Sequence, residues 1–176
     1  MLEYVLPRVA TVVVDVVAWG VLHATTGYAA HRLPERRLAR DGWLLRPRSF
    51  EAGGRWYRRR LRIDRWKDAL PEAGDLFRGG VTKRHLPALD DAGLRLFVRE
   101  TRRAELAHWW AMACAPVFVL WNPPLPAALL VGYGVAVNAP FIAIQRYNRF
   151  RTQALIERRT RRRHAVDPRG VGDRDA

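Results

Sequence analysis

A histidine and a carboxylate lie one helical turn apart at the start of an apolar stretch. The sequence Glu100-Thr-Arg-Arg-Ala-Glu-Leu-Ala-His-Trp-Trp110 begins charged and runs into the apolar residues 111–121 without a helix breaker. At 3.6 residues per turn, Thr101, Glu105 and His108 share one helix face. An imidazole oriented by a carboxylate accepts the proton of a hydroxyl group, which acyl transfer to an alcohol requires. The alternative is a structural pair that anchors the helix at a membrane surface, and the spacing alone leaves both open.

A second polar stripe lies in the last apolar block. Asn138, Gln145 and Arg149 are spaced by seven and then four residues, so they line one face of a helix. We expect this face to meet that of His108, because both belong to apolar helices that carry polar groups at one membrane surface. Asn138 is interpreted either as a hydrogen-bonding group between helices or as a donor to a developing oxyanion.

Other reactive side chains carry weaker signals. His85 and Asp90 have the His-x4-Asp spacing of soluble-headed glycerolipid acyltransferases, but Asp90 is better explained as the start of a helix. Only His85 is kept, as a second candidate base. Asp15 lies inside the first apolar block, where we expect it to pair with Arg8. Cys114 is a small packing residue with no basic neighbour and hence a poor nucleophile. No residues have metal-ligand spacing, so no metal site is predicted.

The composition indicates a membrane protein. The 176 residues include 31 Lys and Arg against 17 Asp and Glu, a net charge of +14, and 49% of them are hydrophobic. The hydrophobic residues are gathered in long blocks flanked by arginines, which is typical of membrane proteins whose flanking loops are cytoplasmic. Nucleic-acid binding, which such a charge would suggest in a soluble protein, is therefore not expected.

The blocks predict an all-α integral membrane protein with about three transmembrane helices plus interfacial and cytoplasmic amphipathic helices. The predicted spans are residues 5–30, 106–121 and 127–145. The second span is about 24 Å long, slightly short for a bilayer. Arginines follow the first and third spans, which predicts a multi-pass protein of the cell membrane with its N-terminus outside and its C-terminus in the cytoplasm.

The cytoplasmic stretch, residues 31–105, contains a segment rich in arginine and aromatic residues. Within it, residues 55–67 combine Trp, Tyr and Arg, which suit the lipid headgroup layer. The alternative is a solvated basic loop. Residues 1–163 are predicted to form a single membrane domain. The rest of the chain, residues 164–176, is predicted to be a disordered tail.

Several motifs between residues 50 and 151 resemble those of a known family. The motifs are Arg65-Trp-Lys67, Arg84-His-Leu86, Glu100-Thr-Arg-Arg-Ala-Glu-Leu-Ala-His-Trp109, and Asn138-Ala-Pro140 with Gln145-Arg-Tyr-Asn-Arg149. They stand in the same order and at similar spacing as in the glycosyl-4,4′-diaponeurosporenoate acyltransferases, small integral membrane enzymes of carotenoid pigment synthesis. The resemblance runs from about Phe50 to Arg151.

The resemblance implies transfer of a long-chain acyl group to the primary hydroxyl of a glucose carried by a carotenoid acid. It implies no bound cofactor, with an acyl-CoA or an acyl-carrier protein as co-substrate. We expect His108, oriented by Glu105, to deprotonate the sugar, and Asn138 or Gln145 to stabilise the oxyanion. The predicted substrate-binding residues are Arg84, Glu100, Arg103, Asn138, Gln145, Arg146, Asn148, Arg149, Trp66 and Lys67. The four arginines among them would bind the phosphates of the acyl donor.

The expected partners are membrane lipid, an amphiphilic glycosylated substrate and the acyl thioester donor. Three spans make a thin bundle, which a homo-oligomer would support. One alternative is a non-catalytic membrane adaptor whose basic cytoplasmic face docks partner enzymes or anionic lipid. Another is a related acyltransferase that acts on a different glycolipid.

Overall fold

Every regular element that the structure describes is a helix. The computed structural model describes residues 7–70 and 90–166. Its α-helices are α1 (Arg8–His31), α2 (Glu35–Leu38), α3 (Arg55–Arg59), α4 (Asp91–Cys114) and α5 (Pro124–Val166). Short 3-10 helices cover Ser49–Gly54, Ile63–Arg65, Lys67–Ala69 and Ala115–Leu120. The predicted all-α fold is confirmed.

Two of the described helices are long and apolar enough to cross a membrane. They are α1 and the stretch Pro124–Ala165 of α5. The expected second span, residues 106–121, is not confirmed. Its α-helical part ends at Cys114, and the chain continues as the 3-10 helix Ala115–Leu120. The apolar part of α4 is therefore short, and the charged residues before it cannot lengthen an apolar span.

The chain divides into two compact units, each containing parts of α4 and α5. Unit 1 consists of the described residues of Met1–Arg48 and of Arg99–Arg146. Unit 2 consists of those of Ser49–Val98 and of Tyr147–Ala176. The single domain proposed for residues 1–163 stays a prediction. The helix α5 continues through residue 166 and so enters the expected tail, whose remaining residues lie outside the described ranges.

The core of unit 1 is aromatic. Trp19 of α1 stacks on Phe118 with the ring centroids 5.0 Å apart, and Ala115 completes the cluster. Gly134 of α5 lies against it: a Cβ atom there would be 2.7 Å from the ring of Trp19. The absence of a side chain at Gly134 therefore lets α5 approach α1 closely.

Asp15, inside α1, binds the residues that follow the 3-10 helix Ala115–Leu120, and not Arg8 as expected from the sequence. Its Oδ1 accepts hydrogen bonds from Trp121 Nε1 at 2.8 Å and from Asn122 Nδ2 at 2.9 Å. The expected partner Arg8 is exposed at the start of α1. Two neutral donors thus satisfy this carboxylate, because the turn after the 3-10 helix reaches it.

Unit 2 packs a sharp bend against the second part of α5. Gly54 has φ = 91°, a left-handed conformation that glycine adopts without strain, and α3 begins at the next residue. A Cβ atom at Gly54 would lie 3.2 Å from Cβ of Phe150. Tyr57 is buried beside Phe150 and donates a short hydrogen bond to the buried carboxylate of Glu51. These contacts fix α3 on α5 within this unit.

Candidate active site

His108 of α4 and Asn138 of α5 meet inside unit 1. His108 Nδ1 and Asn138 Oδ1 are 2.9 Å apart. Asn138 is fully buried, and its Nδ2 donates to the carbonyl oxygen of Gly134 at 2.9 Å. Since the amide nitrogen is used as a donor, the amide oxygen must accept, so His108 Nδ1 carries the hydrogen. In the neutral ring the lone pair then lies on Nε2, the atom a general base uses.

The imidazole ring is held from a second side by Phe141. The two rings are nearly parallel, at 8°, with their centroids 4.8 Å apart. His108 itself is half-buried. Stacking and the contact with Asn138 together fix both the plane and the rotation of the ring, which favours proton transfer in one direction.

Glu105 binds the guanidinium group of Arg146. It is fully buried, and its Oε1 accepts from Arg146 Nη1 at 2.7 Å and from Trp109 Nε1 at 3.2 Å. Arg146 also donates to the carbonyl oxygens of Leu44 at 3.3 Å and Arg46 at 2.9 Å. A buried carboxylate is tolerated when it is paired and hydrogen-bonded in this way. The predicted orientation of His108 by Glu105 stays a prediction.

Arg103 closes the C-terminal end of α1. Its Nη1 donates to the carbonyl oxygens of Ala30 and His31, both at 2.8 Å, and to that of Leu33 at 3.0 Å. Its Nε lies 3.1 Å from the carboxylate of Glu100. The last carbonyl groups of a helix lack intrahelical partners, and a cation there also opposes the helix dipole. The structure thus gives Arg103 and Glu100 protein partners at this helix end.

The other predicted site residues fall into three groups. Gln145 belongs to unit 1 and is buried, with no hydrogen-bond partner for its Oε1 among the described residues. Unit 2 contains the buried Arg149, the half-buried Asn148 and Trp66, and Lys67, which pairs with the neighbouring Asp68. Arg84 and His85 lie outside the described residues. Asp90 caps α4, as expected, since its Oδ1 accepts from the backbone N–H of Gly93 at 2.7 Å.

Sequence reasoning did not identify Gly134, Phe141 or the pair Arg102–Asp41. Gly134 and Phe141 lie four residues before and three after Asn138, so helical spacing places them on its face. Arg102 Nε donates to Asp41 at 2.7 Å, and its Nη1 donates to the carbonyl oxygen of Leu38 at 2.9 Å. No spacing rule reveals that contact, because its partners are far apart in the sequence. Within residues 7–70 and 90–166, no group of three or more His, Cys, Asp or Glu residues is arranged to hold a metal ion.

The chain is similar to curated acyltransferases from Staphylococcus aureus. Glycosyl-4,4′-diaponeurosporenoate acyltransferase of the bovine strain RF122 is 26% identical over 139 residues, which cover 78% of this chain and 83% of that protein. The proteins of the same name from strains USA300 and NCTC 8325 match with the same identity and coverage. No solved structure matches significantly.

The model of one protein family matches most of the chain. Its description is glycosyl-4,4′-diaponeurosporenoate acyltransferase, and the match covers residues 41–158. This range contains His108 and Asn138, and it begins after α1. The resemblance inferred from the motifs is thus confirmed, and the protein is an acyltransferase. The chain belongs to the glycosyl-4,4′-diaponeurosporenoate acyltransferase family.

Proposed function

We propose that this chain transfers a long-chain acyl group from a thioester to a sugar hydroxyl of glycosyl-4,4′-diaponeurosporenoate or a similar glycolipid. The names of its relatives support the acceptor, and the contact between His108 and Asn138 carries the chemistry. An acyl thioester reacts slowly with an alcohol until the hydroxyl proton is removed. A neutral imidazole with a fixed tautomer supplies the base that this reaction needs.

In this mechanism His108 is the general base and Asn138 is its positioning residue. His108 Nε2 accepts the proton of the sugar hydroxyl as the hydroxyl oxygen attacks the carbonyl carbon of the thioester. A C–O bond forms and the C–S bond breaks. The imidazolium then returns the proton to the sulfur, so the products are an ester and a free thiol. Asn138 is engaged on both sides by His108 and Gly134, which leaves Gln145 as the candidate oxyanion donor.

The charged residues around this pair are proposed to position the helices. Arg103 and Arg146 were expected to bind donor phosphates, but their donors point at protein carbonyl groups and carboxylates. Glu105 holds Arg146, and Arg146 in turn holds the chain that follows α2. These contacts set the separation between His108 on α4 and Asn138 on α5. That separation matters because a small displacement of a catalytic group lowers the reaction rate by a large factor.

We also propose that α1 and the first part of α5 cross the cell membrane. Apolar side chains on these helices remain exposed within unit 1, among them Val9, Val16, Leu125 and Leu129. An exposed apolar face of this kind suits lipid and disfavours water. A membrane location also suits an acceptor that joins a polyene to a sugar. Release of the protein from membranes by high salt alone would contradict these spans.

The test compares His108→Gln with a matched histidine variant. His23 is the control because it is also half-buried in unit 1 and lies against an aromatic ring, that of Trp19 at 5.2 Å. Each variant is expressed in cells that accumulate the glycosylated carotenoid acid, and pigment extracts are analysed by mass spectrometry. We expect the acylated product from the wild type and from His23→Gln, and at least about a hundredfold less from His108→Gln.

The same experiment can also contradict the proposed base and the proposed acceptor. Wild-type amounts of product from His108→Gln would remove His108 as the base. No acylated product from the wild-type chain, with the protein present in the membrane fraction, would contradict the proposed acceptor and favour an adaptor or a different glycolipid. An adaptor predicts in addition that neither histidine variant changes pigment.

A further inference from the structure

Unit 2 contains a cleft lined almost entirely by arginine. The cleft has a volume of about 360 Å³ and is lined by Arg55, Arg58, Arg59, Arg62, Asp64 and Arg65. We call it the arginine cleft. None of these side chains takes part in the His108–Asn138 site, which lies in unit 1. The cleft therefore calls for a separate explanation.

The backbone on both sides of α3 is bent to form the arginine cleft. Ala52, before α3, and Arg62, after it, have φ angles of 48° and 49°. They are the two non-glycine residues with positive φ within the described ranges. A side chain in this region costs about 1 kcal/mol, so such residues concentrate where function requires a particular arrangement. Here the turn at Arg62 brings the 3-10 helix Ile63–Arg65 back to the same cleft as α3.

The arginine cleft holds far more positive than negative charge. Its single carboxylate, Asp64, accepts a hydrogen bond from Tyr147 Oη at 2.7 Å and pairs with Arg58 at 3.6 Å. Five guanidinium groups against one carboxylate leave a net charge of +4. In the described part of the chain, the side chains of Arg59, Arg62 and Arg65 donate no hydrogen bond. Like charges gathered in a concavity repel one another and raise the local concentration of anions.

We propose that the arginine cleft binds the diphosphate and the phosphate monoester of a coenzyme A thioester, the acyl donor. This inference rests on the proposed function. Guanidinium groups bind phosphate oxygens in a bidentate manner. A diphosphate with a monoester carries about four negative charges, which matches the charge of the cleft. A small polyanion also fits a concave cleft better than the broad acidic surface of a carrier protein, since protein interfaces bury about 800 Å² on each partner.

Binding of coenzyme A without an acyl group tests the arginine cleft independently of turnover. Calorimetry would compare the detergent-solubilised wild type with Arg59→Gln/Arg65→Gln, whose side chains are exposed and donate no hydrogen bond to residues 7–70 or 90–166. The control is Arg161→Gln/Arg162→Gln, which removes the same charge from exposed positions near the end of α5. We expect the dissociation constant to rise at least about tenfold in the cleft variant and less than about twofold in the control.

Three results would overturn the proposal. The first is an equal dissociation constant for the cleft variant and the wild type, and the second is no binding of coenzyme A by either. The third is a loss of binding to phosphatidylglycerol vesicles in the cleft variant while its affinity for coenzyme A stays unchanged, which would assign the arginines to lipid headgroups.

Kinetics separate failure of this inference from failure of the proposed function. With an acyl-CoA donor we expect the cleft variant to show a KM at least about tenfold higher and an unchanged kcat, because the phosphates of an acyl-CoA take no part in the reaction at its thioester carbonyl. Acyl transfer with an unchanged KM would overturn the inference and leave the function standing. Coenzyme A affinity that depends on the arginine cleft, without transfer to the glycolipid, would support the cleft and contradict the function.

Discussion

The charged side chains of unit 1 and those of the arginine cleft in unit 2 differ in their burial and in their hydrogen bonding. In unit 1, Glu105, Arg103 and Arg146 are largely buried, and each has protein partners within hydrogen-bond distance. In unit 2, Arg59 and Arg65 are exposed, and their side chains donate no hydrogen bond in the described part of the chain. Buried, paired charges hold the fold in place, whereas exposed, concentrated charges of one sign attract an external anion.

This difference separates two roles for arginine that composition alone cannot distinguish. The chain has 31 Lys and Arg residues, and basic residues occur in both regions. An arginine that donates to a helix end or to a buried carboxylate contributes to stability and only indirectly to catalysis. An arginine in the cleft contributes little to stability and, in our proposal, directly to donor affinity. Substitution of an arginine or its partner in unit 1 should therefore lower the free energy of unfolding, whereas substitution in the cleft should lower donor affinity and leave the free energy of unfolding nearly unchanged.

The largest effect on stability is expected from Glu105→Ala. Arg146 would lose the buried carboxylate that its Nη1 contacts at 2.7 Å, and breaking a buried ion pair by removing one member costs about 3–5 kcal/mol. The free energy of unfolding, measured by denaturant titration in detergent, should fall by this amount. The control is Glu35→Gln, because Glu35 is 71% exposed and lies 3.6 Å from Arg99. This change should cost less than about 1 kcal/mol, and equal costs for the two variants would contradict the assigned roles.

A smaller loss is expected from Arg103→Leu. Three carbonyl oxygens at the end of α1 would lose a charged donor, which we expect to cost about 1–3 kcal/mol. Arg103→Lys should recover only part of this, since an ammonium group cannot reproduce the fork of the guanidinium group. Full recovery with lysine would show that charge alone matters at this position.

The smallest effect on stability is expected from Arg59→Gln/Arg65→Gln. Exposed side chains outside the packed core change the free energy of unfolding by no more than about 0.5 kcal/mol, and removing repulsion in the cleft can make the change slightly stabilising. A loss above about 2 kcal/mol would indicate that the cleft is part of the packing of unit 2, and the comparison between the two regions would fail.

Much of the fold follows from local patterns in the sequence. Apolar blocks predicted α1 and α5, and the cap at Asp90 predicted the start of α4 within one residue. The second predicted span, residues 106–121, was not confirmed, because the apolar residues after His108 form a short α-helical stretch and then a 3-10 helix.

The candidate site was predictable only in part. Helical spacing brought His108 and Asn138 to facing stripes, and the structure puts their side chains in contact. Spacing could not assign Arg146 to Glu105 or Arg103 to the end of α1, because those partners are set by how distant segments pack. The arginine cleft was visible as a basic aromatic segment, but its concave shape depends on the left-handed backbone at Arg62, which no propensity favours.

A double-mutant cycle on His108 and Asn138 tests the central claim most directly. The turnover number kcat of the purified enzyme would be measured for His108→Gln, Asn138→Leu and the double variant, with folding checked by the unfolding temperature. Because Asn138 acts through His108, we predict that Asn138→Leu lowers kcat about tenfold or more in the wild type and has no further effect beside His108→Gln. Effects that multiply, or a wild-type kcat for His108→Gln, would contradict a base at His108 positioned by Asn138.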